Sequence, residues 1–311
     1  MGSSSRPTVV DPSPRIPVTV LGGYLGAGKT TILNQVLAAG AAGRLAVLVN
    51  DFGEINIDEA LIESADDDML TLSNGCICCS LVDGFAAAME QVRSLGPERL
   101  LVETSGVANP ASVAAFAHAP GFVLDGVIVA ADVETIRARA LDKYVGDTVR
   151  SQLEAADLVL ATKVDLVSEA ELADVRVWLA EVTAAPVIDV VHGVVPAEAL
   201  FGVLPGKRQP SAHDHEAEAQ FVSGSWSGGA VSREALDRLL ATIPDGVVRL
   251  KGVVAVDGEW LVVQVVGERH VVSPAPDRAA TGRSELAAIA LRGVVASTPV
   301  DLDTWLATIA Q

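Results

Sequence analysis

The chain has 311 residues, 50% of them hydrophobic, and a formal net charge of −18. That length exceeds the usual single domain and supplies enough apolar side chains for a sizeable core, so a larger and a smaller domain are expected. So acidic a chain lacks the basic stripe that releases counterions from a polyanion, which excludes nucleic acid and an anionic membrane as partners.

Residues 1–15 carry Ser, Pro and Asp without periodicity and read as a disordered tail. No apolar run approaches the roughly 18 residues that a membrane span needs, and the N-terminus is polar, so a cytoplasmic protein is expected. The ordered part opens with the short apolar strand Pro17 to Leu21, runs into a glycine loop, and continues as a helix from Lys29 to about Ala39. Apolar runs bounded by polar turns recur at Leu45 to Val49, Arg99 to Val102, Gly126 to Ala130, Asp157 to Ala161 and Pro186 to Val191. Helical stretches at Gly84 to Ser94, Asn109 to Ala117, Asp147 to Ala155 and Ser168 to Thr183 separate most of them. Continuous apolarity marks strands covered on both faces, and the fold class is therefore α/β, a mainly parallel, doubly wound sheet.

Around Pro205 the alternation gives way to Gly, Pro, His and acidic residues. We place a first domain at 16–204, a linker at 205–219 and a smaller α+β domain at 220–311. In that last part a helix is expected over Ser232 to Ile243, then strands Val247 to Val256, Trp260 to Val266 and His270 to Val272, with Asp257-Gly258 as a tight turn. A further apolar run, Leu286 to Leu291, and a closing helix, Leu302 to Ile309, complete it.

The glycine loop, Gly23-Tyr24-Leu25-Gly26-Ala27-Gly28-Lys29-Thr30 followed by Thr31, satisfies the whole phosphate-loop pattern and lies between a strand and a helix as that pattern requires. Glycines let backbone N–H groups turn onto phosphates, Lys29 neutralises their oxygens, and the Thr30 hydroxyl reaches Mg²⁺. Glu103-Thr104-Ser105-Gly106 follows an apolar strand. There Glu103 can hold a Mg²⁺-bound water, and the Gly106 N–H can meet a γ-phosphate. Thr162-Lys163-Val164-Asp165 follows the next suitable strand. The Asp165 carboxylate accepts from the N1 and N2 edge of guanine, and the Lys163 stem lies along the base, which selects GTP. Thr162 stands where an asparagine is usual. Between these motifs lies Asn50-Asp51-Phe52-Gly53-Glu54-Ile55-Asn56-Ile57-Asp58, a segment suited to ordering around Mg²⁺ and the γ-phosphate, with Asp51, Glu54 and Asp58 as positioners.

All three cysteines fall in Cys76-Ile77-Cys78-Cys79. Thiolates select soft or borderline cations over Mg²⁺. Three sulfurs fall short of the four ligands of a closed zinc site, so the set suits a transient one, completed by a carboxylate such as Glu54, a water or a receiving protein. Cysteines packed as small apolar residues, or a redox sensor, are the alternatives. His213 and His215 in the linker are candidate mobile ligands, whereas His118, His192 and His270 form no pattern.

Together the segments 22–31, 50–58, 76–79, 103–106 and 162–165, with a C-terminal part from about Phe221 containing Val248-Arg249-Leu250-Lys251-Gly252, resemble the CobW-like family of P-loop GTPases, metallochaperones and metal-insertion accessory proteins. The resemblance implies GTP hydrolysis, for which Lys29, Glu103 and Asp51 are the expected catalytic set, and hydrolysis is expected to be slow because no obvious catalytic arginine or glutamine stands beside the phosphate motifs. GTP would be held by Gly23, Gly26, Ala27, Gly28, Lys29, Thr30, Thr31, Gly106, Thr162, Lys163 and Asp165. The resemblance also implies a metal held on the Cys76, Cys78 and Cys79 segment for a client metalloprotein; ligand softness favours Zn²⁺ or Co²⁺ over Ni²⁺ or Fe²⁺ there, with Glu54 as the completing carboxylate. Many members have a long linker histidine run, where this chain has only His213-Asp214-His215. A P-loop small-molecule kinase or ATPase with a structural metal clip, and a redox-regulated nucleotide switch, are the competing readings.

Overall fold

The computed structural model describes residues 15–39, 44–49, 70–73, 81–202, 221–275, 283–291 and 301–310. Its first part alternates β1 (Ile16–Gly23), α1 (Lys29–Ala39), β2 (Leu45–Val49), β3 (Leu70–Ser73), α2 (Leu81–Leu95), β4 (Arg99–Glu103), α3 (Pro110–Ala114), β5 (Phe122–Asp132), α4 (Ile136–Leu141), α5 (Gly146–Glu154), β6 (Leu158–Thr162), α6 (Glu169–Val182), β7 (Val187–Val190) and α7 (Ala197–Phe201). The strands form one seven-stranded sheet in the order β3-β2-β4-β1-β5-β6-β7. Every recorded pairing in it is parallel.

The apolar strands form because the sheet is covered on both sides: all five residues of β4 and of β6 are buried. Alternate residues serve opposite cores. Val127, Val129, Val159 and Ala161 face a core with Phe85, Val92, Leu153 and Leu179 from α2, α5 and α6. Ile128, Ala130, Leu158 and Leu160 face another with Ile32, Leu33 and Val36 of α1 and Leu200 and Phe201 of α7. From β1 the chain winds to β2 and β3 on one side and, after β4, to β5, β6 and β7 on the other, which puts the topological switch point at the carboxyl end of β1.

The second part comprises β8 (Phe221–Gly228), α8 (Arg233–Ala241), β9 (Val247–Val256), β10 (Glu259–Val266), β11 (Arg269–Pro274), β12 (Ser284–Leu291) and α9 (Leu302–Ala307). Its strands make a five-stranded antiparallel sheet in the order β11-β10-β9-β12-β8. Asp257 and Gly258, both at positive φ, turn β9 into β10 as their sequence predicts. The strand β8 is absent from the sequence reading because Ser and Gly dilute its apolar signal. Gly224 is required there, since a Cβ on it would lie 2.4 Å from the Leu302 side chain of α9. Among the described residues no helix is long and apolar enough to cross a membrane.

The two sheets are joined by apolar contact and by buried charge. Val248, Val266, Ile289 and Leu291 of the second sheet enter the α1 and α7 core of the first. Beside them the Asp125 carboxylate of β5 accepts a hydrogen bond from Arg249 and one from Thr19 at 3.3 Å, with Lys251 Nζ 3.4 Å away. Arg99 donates to the Phe201 carbonyl at 2.9 Å, and Arg269 of β11 grips Asp157 at 2.6 Å and 3.0 Å. Asp125, Arg99 and Asp157 all lie at or near the amino ends of their strands, so the second sheet docks at the end of the first that is opposite the carboxyl ends.

Burial by itself would raise the Asp125 pKa, but the pull of Arg249, then Lys251, then Arg99, and the hydrogen bond from Arg249, lower it from 3.8 to about 2. Its contribution to stability is complete above pH 3.8 and disappears as pH falls toward 2, because the unfolded chain binds the proton first. Asp125→Ala is expected to destabilise the protein by about 3–5 kcal/mol by leaving buried cations unpaired, read as a lowered urea midpoint. In acid titrations Asp125→Asn is expected to flatten the fall in stability over the window in which wild type steepens.

Candidate nucleotide site

Parallel strands deliver their carboxyl ends to one edge of the sheet, and the predicted site residues within the described structure gather there. At the end of β1, Gly23 has φ 134° and runs so close to β5 that a Cβ on it would stand 2.4 Å from the Ala130 carbonyl oxygen. Gly26 and Gly28 also have positive φ, at 79° and 89°. Only glycine takes up this loop without strain, and the loop then enters α1 with its N–H groups unpaired by the helix. Lys29 folds back over the loop and donates to the Gly23 carbonyl at 3.0 Å. Thr30, in the first turn of α1, donates to Glu103 Oε1 at 3.3 Å, tying the glycine loop to the end of β4. Thr31 is exposed beside it.

Glu103 is buried at 3% exposure. After it, Thr104 and Ser105 bury hydroxyls that have no hydrogen-bond partner among the described residues. Gly106 packs directly on the glycine loop: a Cβ there would lie 2.7 Å from the Leu25 nitrogen. Its carbonyl, and that of Ala108, accept from Gln152 Nε2 at 3.1 Å and 2.8 Å. Gln152 comes from α5, is 1% exposed, and fixes the loop that presents the Gly106 N–H. Nothing local in the sequence marks it.

Thr162, buried at the end of β6, donates through Oγ1 to the Ala27 carbonyl at 2.8 Å. The residue that departs from the asparagine pattern therefore has a definite task, tethering the end of β6 to the glycine loop. Lys163 sits at φ 61° and pairs with Asp132 at the end of β5, 2.7 Å away. The other Asp132 oxygen accepts from the Glu134 N–H at 3.0 Å, so Asp132 aligns the lysine stem. Asp165 lies in the short helical turn Val164–Leu166 with its side chain 26% exposed, 3.7 Å from His192. Asp132, Gln152 and His192 were not legible as site residues, because each meets its partner only where distant parts of the chain are folded together.

Asp51, Glu54 and Asp58, the cysteines Cys76, Cys78 and Cys79, and the histidines His213 and His215 lie outside the described residues. Val49 and Ser73, which precede the first two groups, close β2 and β3 at the same carboxyl edge as Gly23 and Glu103.

Residues 17–189 match the model of the CobW/HypB/UreG nucleotide-binding domain, and residues 225–295 that of the C-terminal domain of the cobalamin synthesis protein CobW. The chain belongs to this family. Among its relatives is the zinc chaperone CobW of a Sinorhizobium species, 30% identical over 82% of this chain and 86% of that one. Another is the zinc chaperone YjiA of Escherichia coli, 32% identical over 78% of this chain and 83% of the relative. The crystal structure of Zn(II)-bound YjiA GTPase from E. coli aligns over 96% of this chain and 99% of that one, with 25% identity and a TM-score of 0.45. Within the family's nucleotide-binding domain, Thr162→Val is expected to cost about 1–3 kcal/mol by stranding a buried carbonyl. Denaturant unfolding measures the loss, and faster release of a fluorescent nucleotide in stopped flow reports the loosened loop.

Proposed function

We propose that the protein is a GTP-hydrolysing metallochaperone of the cytoplasm that loads a transition metal and passes it to a client metalloprotein. The observation that carries this reading is the convergence, at one sheet edge, of Lys29, the Thr30–Glu103 pair and the Lys163 to Asp165 turn. The names of the relatives, zinc chaperones and a zinc-regulated GTPase metalloprotein activator, support the choice of cargo class.

In this reading Gly23, Gly26, Ala27 and Gly28 wrap the phosphates with backbone N–H groups, and Lys29 leaves the Gly23 carbonyl to neutralise their oxygens. The Thr30 hydroxyl and Glu103 carboxylate are hard oxygen donors of the kind Mg²⁺ takes, and a Mg²⁺ held there would neutralise charge that develops on the phosphate oxygens. Glu103 also orients Thr30, the Gly106 N–H meets the γ-phosphate, and Asp51 positions the attacking water. Asp165 accepts from the guanine edge while Lys163, aligned by Asp132, lies along the base. Hydrolysis is slow, since positioning and charge are supplied without an obvious catalytic arginine or glutamine. Residues 16–204 form the GTPase unit, 205–219 the linker, and 220–311 the part that recognises the client.

The cargo, Zn²⁺ or Co²⁺, is held on Cys76, Cys78 and Cys79, with Glu54 as the ligand that nucleotide state moves. The segments carrying these residues follow Val49 and Ser73, strand ends at the nucleotide edge, which supports coupling between triphosphate and metal. Coupled ligands raise each other's affinity by the same factor.

Cys78→Ala is expected to weaken Zn²⁺ binding by more than about tenfold while leaving GDP affinity unchanged, by analogy with the loss seen when a metal site is disturbed. Competition against a chelating dye and titration with labelled GDP read the two. Unchanged Zn²⁺ affinity would remove the cysteines from the cargo site. Equal Zn²⁺ uptake by the GTP-analogue-loaded and GDP-loaded forms would remove the coupling.

A further inference from the structure

Beyond the turn that carries Asp165, a second turn closes the same corner of the site. After β7, Val194 N–H donates to the Val191 carbonyl at 3.0 Å, and the two residues between them, His192 and Gly193, have φ 51° and 77°. Two successive positive φ values are the pattern of a type I′ turn, for which histidine is one of the more tolerant side-chain-bearing residues. Gly193 is pressed against the glycine-loop helix: a Cβ on it would stand 2.8 Å from Thr31 Cγ2 and 3.1 Å from the Thr31 carbonyl carbon. The turn is thus seated on the first turn of α1, and from that seat it aims the His192 imidazole at Asp165.

Among the described residues only Lys163, His192 and Asp257 combine a side chain with positive φ. Asp257 makes a hairpin, and the other two flank Asp165. Backbone strain of this kind persists where the surroundings hold it, and it clusters at binding sites. His192 Nδ1 lies 3.7 Å from Asp165 Oδ2, with side-chain exposures of 76% and 26%. That separation is an ionic or dipolar contact, longer than a hydrogen bond. The neighbouring charges are otherwise engaged: Lys163 with Asp132, and Asp189 of β7 with Arg176 of α6. His192 is therefore the one basic side chain within ion-pair distance of Asp165 among the described residues.

We propose that His192 is a specificity-determining positioning residue, which acts through Asp165 to make the site distinguish guanine from purines lacking the 2-amino group. A carboxylate has about four lone-pair sites, so Oδ2 can meet the imidazole from the side and still accept from the base. With the imidazole at its side, the carboxylate favours the rotamer that puts its two oxygens in the plane of guanine N1–H and N2–H. Freed, it still attracts the base but no longer enforces both contacts. The proposal deepens the reading of Asp165 as the guanine acceptor and rests on it.

The test titrates the full-length protein with fluorescently labelled GDP and with labelled inosine diphosphate, which lacks the amino group. Wild type, His192→Ala, His192→Gln and Asp165→Ala are compared, with the thermal midpoint of each recorded. His192→Ala is expected to lower the GDP-to-IDP affinity ratio by about three- to tenfold, the scale of one charge-assisted hydrogen bond made less well. His192→Gln, which keeps an N–H donor, is expected to restore most of the ratio. Equal losses for both nucleotides in His192→Ala, with the ratio unchanged, would make His192 merely structural and overturn the proposal. If Asp165→Ala collapses the ratio while both His192 variants preserve it, the guanine reading stands and the role of His192 falls. A ratio left intact by Asp165→Ala overturns both.

Discussion

Every feature of the site depends on one constraint: the strands of the first sheet run parallel. Parallel strands need crossovers, the crossovers place helices on both faces, and the loops that precede those helices all emerge at the carboxyl edge. Gly23, Glu103, Asp132 and Thr162 are each the last residue of a strand, and their neighbourhood follows from register alone. The pairing of Leu21 with Glu103, and of Asp132 with Thr162, brings the ends of β1 and β4, and of β5 and β6, level with one another. Side chains then join loop to loop, Thr30 to Glu103 and Thr162 to the Ala27 carbonyl, so the edge behaves as one connected surface.

The opposite end of the same strands solves a different problem. There the second sheet must be fastened, and apolar contact is supplemented by a carboxylate among three cations. Isolated charges at that depth would be costly, and they are tolerated because Asp125 is approached by Arg249, Lys251 and Thr19 together while Arg99 finds a carbonyl. These contacts are directional and join particular residues of the two sheets, Arg249 and Lys251 to Asp125 and Arg269 to Asp157. Strands β1 and β5, which meet at Thr19 and Asp125, continue into the glycine loop and into Asp132 respectively. The docked sheet and the nucleotide edge therefore share two rigid elements.

Thr162 departs from its motif and is still put to use. The usual pattern has an asparagine at this position. Here a shorter hydroxyl stands, buried at 3% exposure and bonded to the Ala27 carbonyl. The hydroxyl is too short to do more than this, and its one recorded hydrogen bond among the described residues goes to the glycine loop.

The sequence by itself determined the alternation of apolar runs and helices, the glycine loop, Glu103 at a strand end, the turn at Asp165, and the change of architecture in the C-terminal part. These are local signals, carried by residues a few positions apart whose backbone and side-chain chemistry has few uses. The strand β8 escaped because serine and glycine hide its period. Gln152 on the Gly106 loop, Asp132 under Lys163, His192 beside Asp165 and Arg249 on Asp125 were decided by tertiary structure alone. Their partners lie far off along the chain, 46 positions for Gln152 and Gly106 and 124 for Asp125 and Arg249. A buried glutamine or arginine takes its meaning from the group it meets, and only the folded sheet brings that group within reach.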